Sequence, residues 1–233
     1  DFRIDFTPRA SASVGQSLSA RGHAFALDLR NHGNSPHAAG HSLSDCIEDV
    51  RGWAERTGGG PLRLVGHSMG GMVAMGLALR YPELIDGLIV VDIAPRPYPL
   101  DHEAEFAALS TDISGCASRA AIGKRISGLV PDPGARAFLL TNAVRAGSGF
   151  RWRLNIEALR ASTVLSDIAE VRGEFSGKTL FLTGGLSRHV RPEDHEVIGR
   201  YFPRAVIEVI PGGDHWLHAS ATGEFLFSVN RFL

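Results

Sequence analysis

Short apolar runs alternate along the chain with longer stretches whose apolar residues recur at helical spacing. That alternation predicts βαβ units and a parallel sheet. Residues 23–29 (HAFALDL) read as a strand. Residues 42–57 read as a helix, with Ser42 and Asp45 as a capping pair and Cys46, Ile47, Val50 and Trp53 on one face. Gly58-Gly59-Gly60-Pro61 is a break. Residues 62–67 read as a buried strand that runs directly into a helix over 70–81, stopped by Pro82. The next strand lies within 84–93 and ends at Pro95.

Between Arg96 and Gly177 strand-like runs disappear, and helical patterns occur near 101–109, 116–129, 133–145 and 154–165. Strands resume at 179–183 and 205–210, with helices following near 192–201 and 222–232. The expected organisation is an α/β core in two parts, 1–95 with an irregular start and 178–233, interrupted by a helical block over 96–177. No internal repeat is evident.

Composition narrows the class. The 233 residues are 44% hydrophobic and 21% charged, enough to bury a sizeable core and too apolar for a disordered chain. With 24 basic against 25 acidic residues there is no electrostatic footprint for nucleic acid or an anionic membrane. Cys46 and Cys116 are the two cysteines, too few for a disulfide scaffold or a thiolate zinc site, and each is expected to be a buried, reduced thiol. The apolar runs are strand-sized, so no membrane span is expected, and the first residues lack the shape of a signal peptide. The cytoplasm is the default location. The chain starts at Asp1 rather than Met, as a fragment or a processed form would.

The candidate chemistry centres on Gly66-His67-Ser68-Met69-Gly70-Gly71, placed between a strand and a helix. A Gly-x-Ser-x-Gly there forces a sharp turn that strains Ser68 and exposes its Oγ at the sheet edge. Gly66 and Gly70 make room for the turn, and the Met69 N–H at the helix start is a natural oxyanion donor. His67 is read as serving packing and the turn. A serine nucleophile needs a base, and the base an orienting acid. His215, in Pro211-Gly212-Gly213-Asp214-His215-Trp216, follows the last strand and is the leading base, with His218 as its local competitor. His32 lies in a polar loop, while His23, His37, His41, His102, His189 and His195 have no comparable placement and are expected mostly to be solvated.

These residues resemble the α/β-hydrolase fold, and several segments resemble the bacterial YbfF-type esterases and their mitochondrial relatives. The segments are 26–36 (ALDLRNHGNSP), Gly66–Gly71, Val91-Asp92-Ile93-Ala94-Pro95, Gly184-Gly185-Leu186-Ser187 and 213–219 (GDHWLHA). The resemblance implies a mostly parallel sheet with helices on both faces and a helical lid inserted after the strand ending at Asp92. Many α/β-hydrolases carry the acid as Gly-x-x-Asp after the strand at 179–183, where this chain has Ser187 instead. YbfF-type enzymes carry it in the Asp-Ile-Ala-Pro segment, which maps to Asp92 and leaves Asp194 as the alternative. Asp214 is then a loop-capping residue, and Ser187 helps to hold the acid. The family also has an early strand ending in a His-Gly loop that supplies the second oxyanion N–H. This chain has Phe2-Arg3-Ile4-Asp5-Phe6-Thr7-Pro8-Arg9, with no His-Gly and a proline that cannot donate. Two early strands are thus expected to be largely missing; either that region is absent from the sequence or the oxyanion hole is altered.

The resemblance implies a serine hydrolase of small carboxylic esters or thioesters, acting through an acyl-enzyme on Ser68 with Asp92 and His215 and needing no metal or organic cofactor. A serine at the elbow argues against dehalogenase and epoxide hydrolase chemistry, which uses an aspartate there. Cofactor-free haloperoxidases, C–C bond hydrolases and lyases share the triad, and a ligand-binding protein that has lost turnover is the alternative from another class. The block over 96–177 is expected to act as a lid, with Phe106, Leu109, Phe138, Leu139, Trp152 and Leu159 as candidate pocket residues together with Trp216. The competing reading is that most of them only pack the lid helices. Neither substrate nor oligomeric state follows from the sequence.

Overall fold

The computed structural model describes residues 2–5, 23–57, 61–99 and 101–233. In chain order the elements are β1 (Phe2–Asp5), β2 (Ala24–Ala26), α1 (Leu43–Arg56), β3 (Leu62–His67), α2 (Met69–Arg80) and β4 (Ile85–Val91). Next come α3 (Glu103–Leu109), α4 (Arg119–Ile126), α5 (Pro133–Leu140), β5 (Ala143–Ala146), β6 (Gly149–Trp152) and α6 (Ile156–Arg160). The chain ends with β7 (Lys178–Gly184), α7 (Asp194–Tyr201), β8 (Ala205–Ile210), α8 (Leu217–Ser220) and α9 (Thr222–Phe232). The described residues fall into two compact units. One is drawn from within Asp1–Leu29, Ser42–Pro99 and Thr163–Leu233, the other from within Arg30–His41 and Leu100–Ser162.

The first unit is built on a six-stranded sheet of order β2-β1-β3-β4-β7-β8, in which every neighbouring pair is parallel. Parallel strands need covering on both faces, and the sequence supplies continuous apolar runs for that purpose. Leu88 and Val90 of β4 join one buried cluster with residues of α1, α2 and α7. Their neighbours Ile89 and Val91 point the other way, into a cluster with Leu217, Phe225 and Val229 of α8 and α9. Each such side chain contributes about 1.5–3 kcal/mol on burial, more than the spread of strand propensities. The helix ends follow local rules as well. Ser42 and Asp45 form a reciprocal capping box at the start of α1.

Phe2–Asp5 corrects one expectation. It is a strand, paired in parallel with both β2 and β3, so one of the early strands is present. Pro8, with residues 6–22 as a whole, lies outside the described residues.

The second unit holds α3 to α6 and an antiparallel hairpin, β5–β6. The hairpin contradicts the expectation that strands vanish between Arg96 and Gly177, and it shortens the helix expected over 133–145 to Pro133–Leu140. Ala146 pairs with Gly149 across a two-residue turn, and Gly147 takes φ 58° there, a conformation glycine adopts without strain. The unit packs around Ala108, Leu109, Ile126, Val130 and Leu139, with a second cluster of Ile113, Cys116, Ile122, Ala143 and Phe150. Among the described residues no helix is long and apolar enough to cross a membrane.

Candidate active site

Four strand ends of the parallel sheet build the site. The first is the turn from β3 into α2. Ser68 sits there at φ 52°, ψ −120°, a strained conformation for a residue with a side chain. A Cβ on Gly66 would lie 2.4 Å from the Gly70 carbonyl oxygen, and one on Gly71 would lie 2.7 Å from Ile93 Cγ2. The turn closes only because both are glycine. The sequence pattern pointed to Gly66 and not to Gly71. Ser68 makes no side-chain capping bond to α2, so its hydroxyl is left for another partner. Met69 is the first residue of α2, and its N–H is among the first-turn donors that a helix cannot use internally.

The second strand end carries Asp92, also at φ 52° and only 1% exposed. Its Oδ1 accepts the Gly184 N–H at 3.0 Å. Its Oδ2 accepts from the Ser187 hydroxyl and from His215 Nδ1, the latter at 2.8 Å. Burial alone would raise this carboxyl, but hydrogen bonds from His215, Ser187 and Gly184 outweigh it and hold the group below its ordinary value. An ionised Asp92 only accepts, so His215 Nδ1 carries the proton and Nε2 presents a lone pair. That Nε2 lies 3.1 Å from Ser68 Oγ.

The loops after β7 and β8 hold the histidine in place by close packing. A Cβ on Gly184 would lie 2.6 Å from the carbonyl oxygens of Gly213 and Asp214, and one on Gly185 would lie 2.6 Å from that of Pro211. The Gly-Gly pair therefore lets the loop before His215 rest directly on the end of β7. Leu186 N–H bonds Gly213 O at 2.9 Å and seals the contact. Asp214 accepts the Trp216 N–H at 2.7 Å, the capping role expected of it.

His67 donates from Nε2 to the His215 carbonyl at 2.7 Å, with ring centroids 4.7 Å apart. Desolvation, then the neighbouring His215 and His218, push His67 down to about 3, which keeps it neutral. His218 lies edge-on to His67 at 5.5 Å and takes no place in the Asp92–His215–Ser68 chain. Burial, followed by His215, lowers its pKa too. The Trp216 ring is 5.4 Å from that of His215.

Three sequence expectations need correcting. Asp194, the alternative acid, is not the partner of His215: it is 3% exposed and paired with Arg96 Nε at 2.8 Å. His41 is 4% exposed, with Asn31 Nδ2 3.4 Å from its Nδ1. His189 is not simply solvated either, for its ring stacks on His215 at 3.7 Å and its Nδ1 lies 3.2 Å from Ser187 Oγ. The available signal was the spacing Ser187-x-His189 after the Gly-Gly pair, a turn in which the serine oxygen accepts the N–H two residues on.

Asp92, His189 and His215 bring three potential ligand atoms within 4.8 Å of one another. The two rings are only 19° from parallel, however, and one ion cannot lie in both ring planes, where the nitrogen lone pairs point. Hydrogen bonding is the better account of the cluster. The aromatic residues expected to line a pocket fall into both units. Trp216 belongs to the first. In the second, Phe106 is buried under the Arg160 guanidinium, Trp152 Nε1 donates to Thr111 O at 3.0 Å, and Phe138 packs on the cluster around Leu139. The region expected to supply a second oxyanion donor lies outside the described residues.

A sequence profile of the Alpha/beta hydrolase family matches residues 5–226. The sn-1-specific diacylglycerol lipase ABHD11 of Mus musculus is 39% identical over 215 residues, which cover 89% of this chain and 70% of that protein. Esterase YbfF of Escherichia coli is 28% identical over 209 residues, covering 89% of this chain and 81% of its own. A solved structure titled as a marine microorganism esterase superimposes with a TM-score of 0.94 at 31% identity, covering 100% of this chain and 94% of that one.

Proposed function

The chain belongs to the Alpha/beta hydrolase family and is a hydrolase enzyme, and on that premise we propose that it cleaves carboxylic esters or thioesters through an acyl-enzyme on Ser68. His215 Nε2 takes the Ser68 proton as Oγ attacks the acyl carbon. Asp92 holds the imidazolium that forms, and the Met69 N–H faces the developing oxyanion. The leaving alcohol or thiol takes the proton from His215. Water, activated by the same histidine, then releases the acid.

The observation that carries the reading is the continuous chain from Asp92 Oδ2 to His215 Nδ1 at 2.8 Å and from His215 Nε2 to Ser68 Oγ at 3.1 Å. A base within hydrogen-bond reach of the proton it removes, oriented by a buried carboxylate, is what nucleophilic activation requires. Trp216, beside His215, is the aromatic residue we assign to the substrate face; packing inside their own unit accounts for Phe106, Phe138 and Trp152.

The test is Ser68→Ala, assayed on p-nitrophenyl esters of increasing chain length and an acyl-CoA panel, with fluorophosphonate labelling of the wild type. Turnover should fall about 10⁴–10⁶-fold, and the probe should label Ser68 alone. Wild-type protein that neither labels nor turns over any ester would favour a binding protein instead. Persistent turnover in the variant would remove Ser68 from the mechanism.

A further inference from the structure

His189 stands outside the chain from Asp92 to Ser68, yet it touches two of the groups that serve it. Its ring lies on His215 with centroids 3.7 Å apart and planes 19° from parallel. Its Nδ1 is 3.2 Å from Ser187 Oγ, and its backbone N–H donates to the same oxygen at 3.2 Å. Ser187 has a single hydroxyl proton, and an ionised Asp92 can only accept. That proton is therefore committed to Asp92 Oδ2. Ser187 Oγ then faces His189 with lone pairs, so Nδ1 of His189 is the donor and the neutral ring is the Nδ1–H tautomer.

The segment around His189 is held from the far side. The Tyr98 hydroxyl and Arg96 Nη2 both donate to the His189 carbonyl. Arg96 stacks 3.9 Å over the Tyr98 ring and is fixed by Asp194, the buried carboxylate that the proton relay leaves unused. A half-exposed histidine is thus clamped against the face of the base by four side chains, Tyr98, Arg96, Asp194 and Ser187. A loop residue serving only solubility would have no such support.

From this arrangement we infer that His189 is a positioning residue: its Nδ1–H turns the Ser187 hydroxyl onto Asp92, and its ring fixes the plane of His215. The inference rests on the serine-hydrolase reading above. Asp92 carries full load only when His215 becomes an imidazolium, so the contribution falls on kcat rather than on substrate binding. Losing the Nδ1 donor frees the Ser187 hydroxyl to turn away and removes one of the three donors that keep Asp92 ionised and aligned.

The experiment compares His189→Ala, His189→Asn and His189→Phe, with Ser68→Ala as control, in steady-state kinetics on a p-nitrophenyl ester. The downfield proton resonance of His215 Nδ1 is recorded alongside. His189→Ala should lower kcat about tenfold with KM within about twofold, and should shift or broaden the downfield signal. Asparagine places an amide donor near the position of Nδ1, so His189→Asn should recover kcat to within about threefold of wild type and restore the signal. His189→Phe restores only the ring and should remain impaired. Wild-type kcat in His189→Ala overturns the inference, and so does rescue by phenylalanine but not asparagine, which would make the ring mere packing. Ser68→Ala separates the two readings. If it stays active the triad itself fails, whereas a dead Ser68→Ala beside fully active His189 variants sinks the positioning role alone.

Discussion

The ends of β3 and β4 share a positive φ and differ in chemistry. Ser68 and Asp92 are each the first residue beyond adjacent parallel strands, and each has φ 52°. Ser68 N–H continues the ladder to Val91 O and Asp92 N–H to Leu182 O, at 3.0 and 2.8 Å. A non-glycine residue in this region costs about 1–3 kcal/mol, so the sheet on either side has to over-determine both turns. The two residues lead into different surroundings. After Ser68 the chain enters α2, which brings first-turn N–H donors and leaves the hydroxyl without a capping bond. After Asp92 it runs into an irregular Ile93 and Ala94, and the carboxylate is sealed under three donors, from the last residue of β7 and from the loops after β7 and β8. A positive φ turns the chain out of the strand in both places; the elements that follow leave one side chain with a hydroxyl uncapped and bury the other as a hydrogen-bonded carboxylate.

His215 joins the two ends, so removing it is the hardest blow to the comparison. His215→Ala should lose activity as severely as Ser68→Ala, about 10⁴–10⁶-fold in kcat/KM, because members of a triad act as a unit. His218→Ala should be mild. Its ring meets those of His67 and Trp216 but takes no part in the Asp92–His215–Ser68 hydrogen bonds. Equal losses at the two histidines would break the assignment of His215 as the sole link.

At the β4 end, Asp92→Asn should preserve the fold and cut kcat about 10³–10⁴-fold, measured together with an unchanged far-ultraviolet spectrum. The amide would offer a donor where His215 Nδ1–H needs an acceptor, favouring the tautomer whose Nε2–H faces Ser68. A variant keeping a tenth of wild-type kcat would make the carboxylate a structural plug instead of the orienting acid.

Much of this contrast is legible in the sequence, and the reason is the range of the forces involved. The elbow and the capping box of α1 are written in consecutive residues, and apolar runs bounded by breakers locate β3, β8 and α9. Asp92 is harder. The residues alone permit Asp194, and the choice between them comes from a resemblance; in the structure Arg96 takes up Asp194. The β5–β6 hairpin escapes the pattern because four-residue strands are too short for their alternation to stand out beside helical neighbours. His189 escapes it because stacking across two loops leaves no periodic trace in sequence. The needs of Gly71 and Gly185 are likewise tertiary, since a side chain there would strike Ile93 or Pro211.

Mechanical likeness of the strand ends can be tested on stability rather than rate. Gly66→Ala puts a Cβ 2.4 Å from a backbone oxygen that no rotamer change can move. It should cost about 1–3 kcal/mol in urea denaturation. Gly87→Ala, within β4, meets nothing nearer than 3.5 Å and should be close to neutral. If both substitutions are neutral, the elbow is looser than its geometry implies. A large loss at Gly87 would place the constraint along the strands rather than at their ends.

The smallest expected effect concerns pH and the neutral histidine that precedes Ser68. His67 is held at about 3 in the fold against 6.5 for an ordinary histidine. Between those values the unfolded chain binds a proton that the folded one refuses, so stability rises with pH across that window and falls on acidification from about 6.5 downward. Asp92 acts at the lower end of the same window. Its carboxyl is held below the ordinary 3.8, so its contribution is present above that value and is lost only as pH falls through the folded pKa. Loss of stability between about pH 6.5 and 5 therefore belongs to His67, together with His218, whose pKa burial also lowers, and not to Asp92. His67→Gln keeps a side-chain donor near the His215 carbonyl and cannot titrate, so its urea midpoint should fall less than that of the wild type between about pH 7 and 5. Parallel curves for the two proteins would mean that His67 accepts its proton in the folded state, and the β3 end would then owe its shape to Ser68 and the glycines alone.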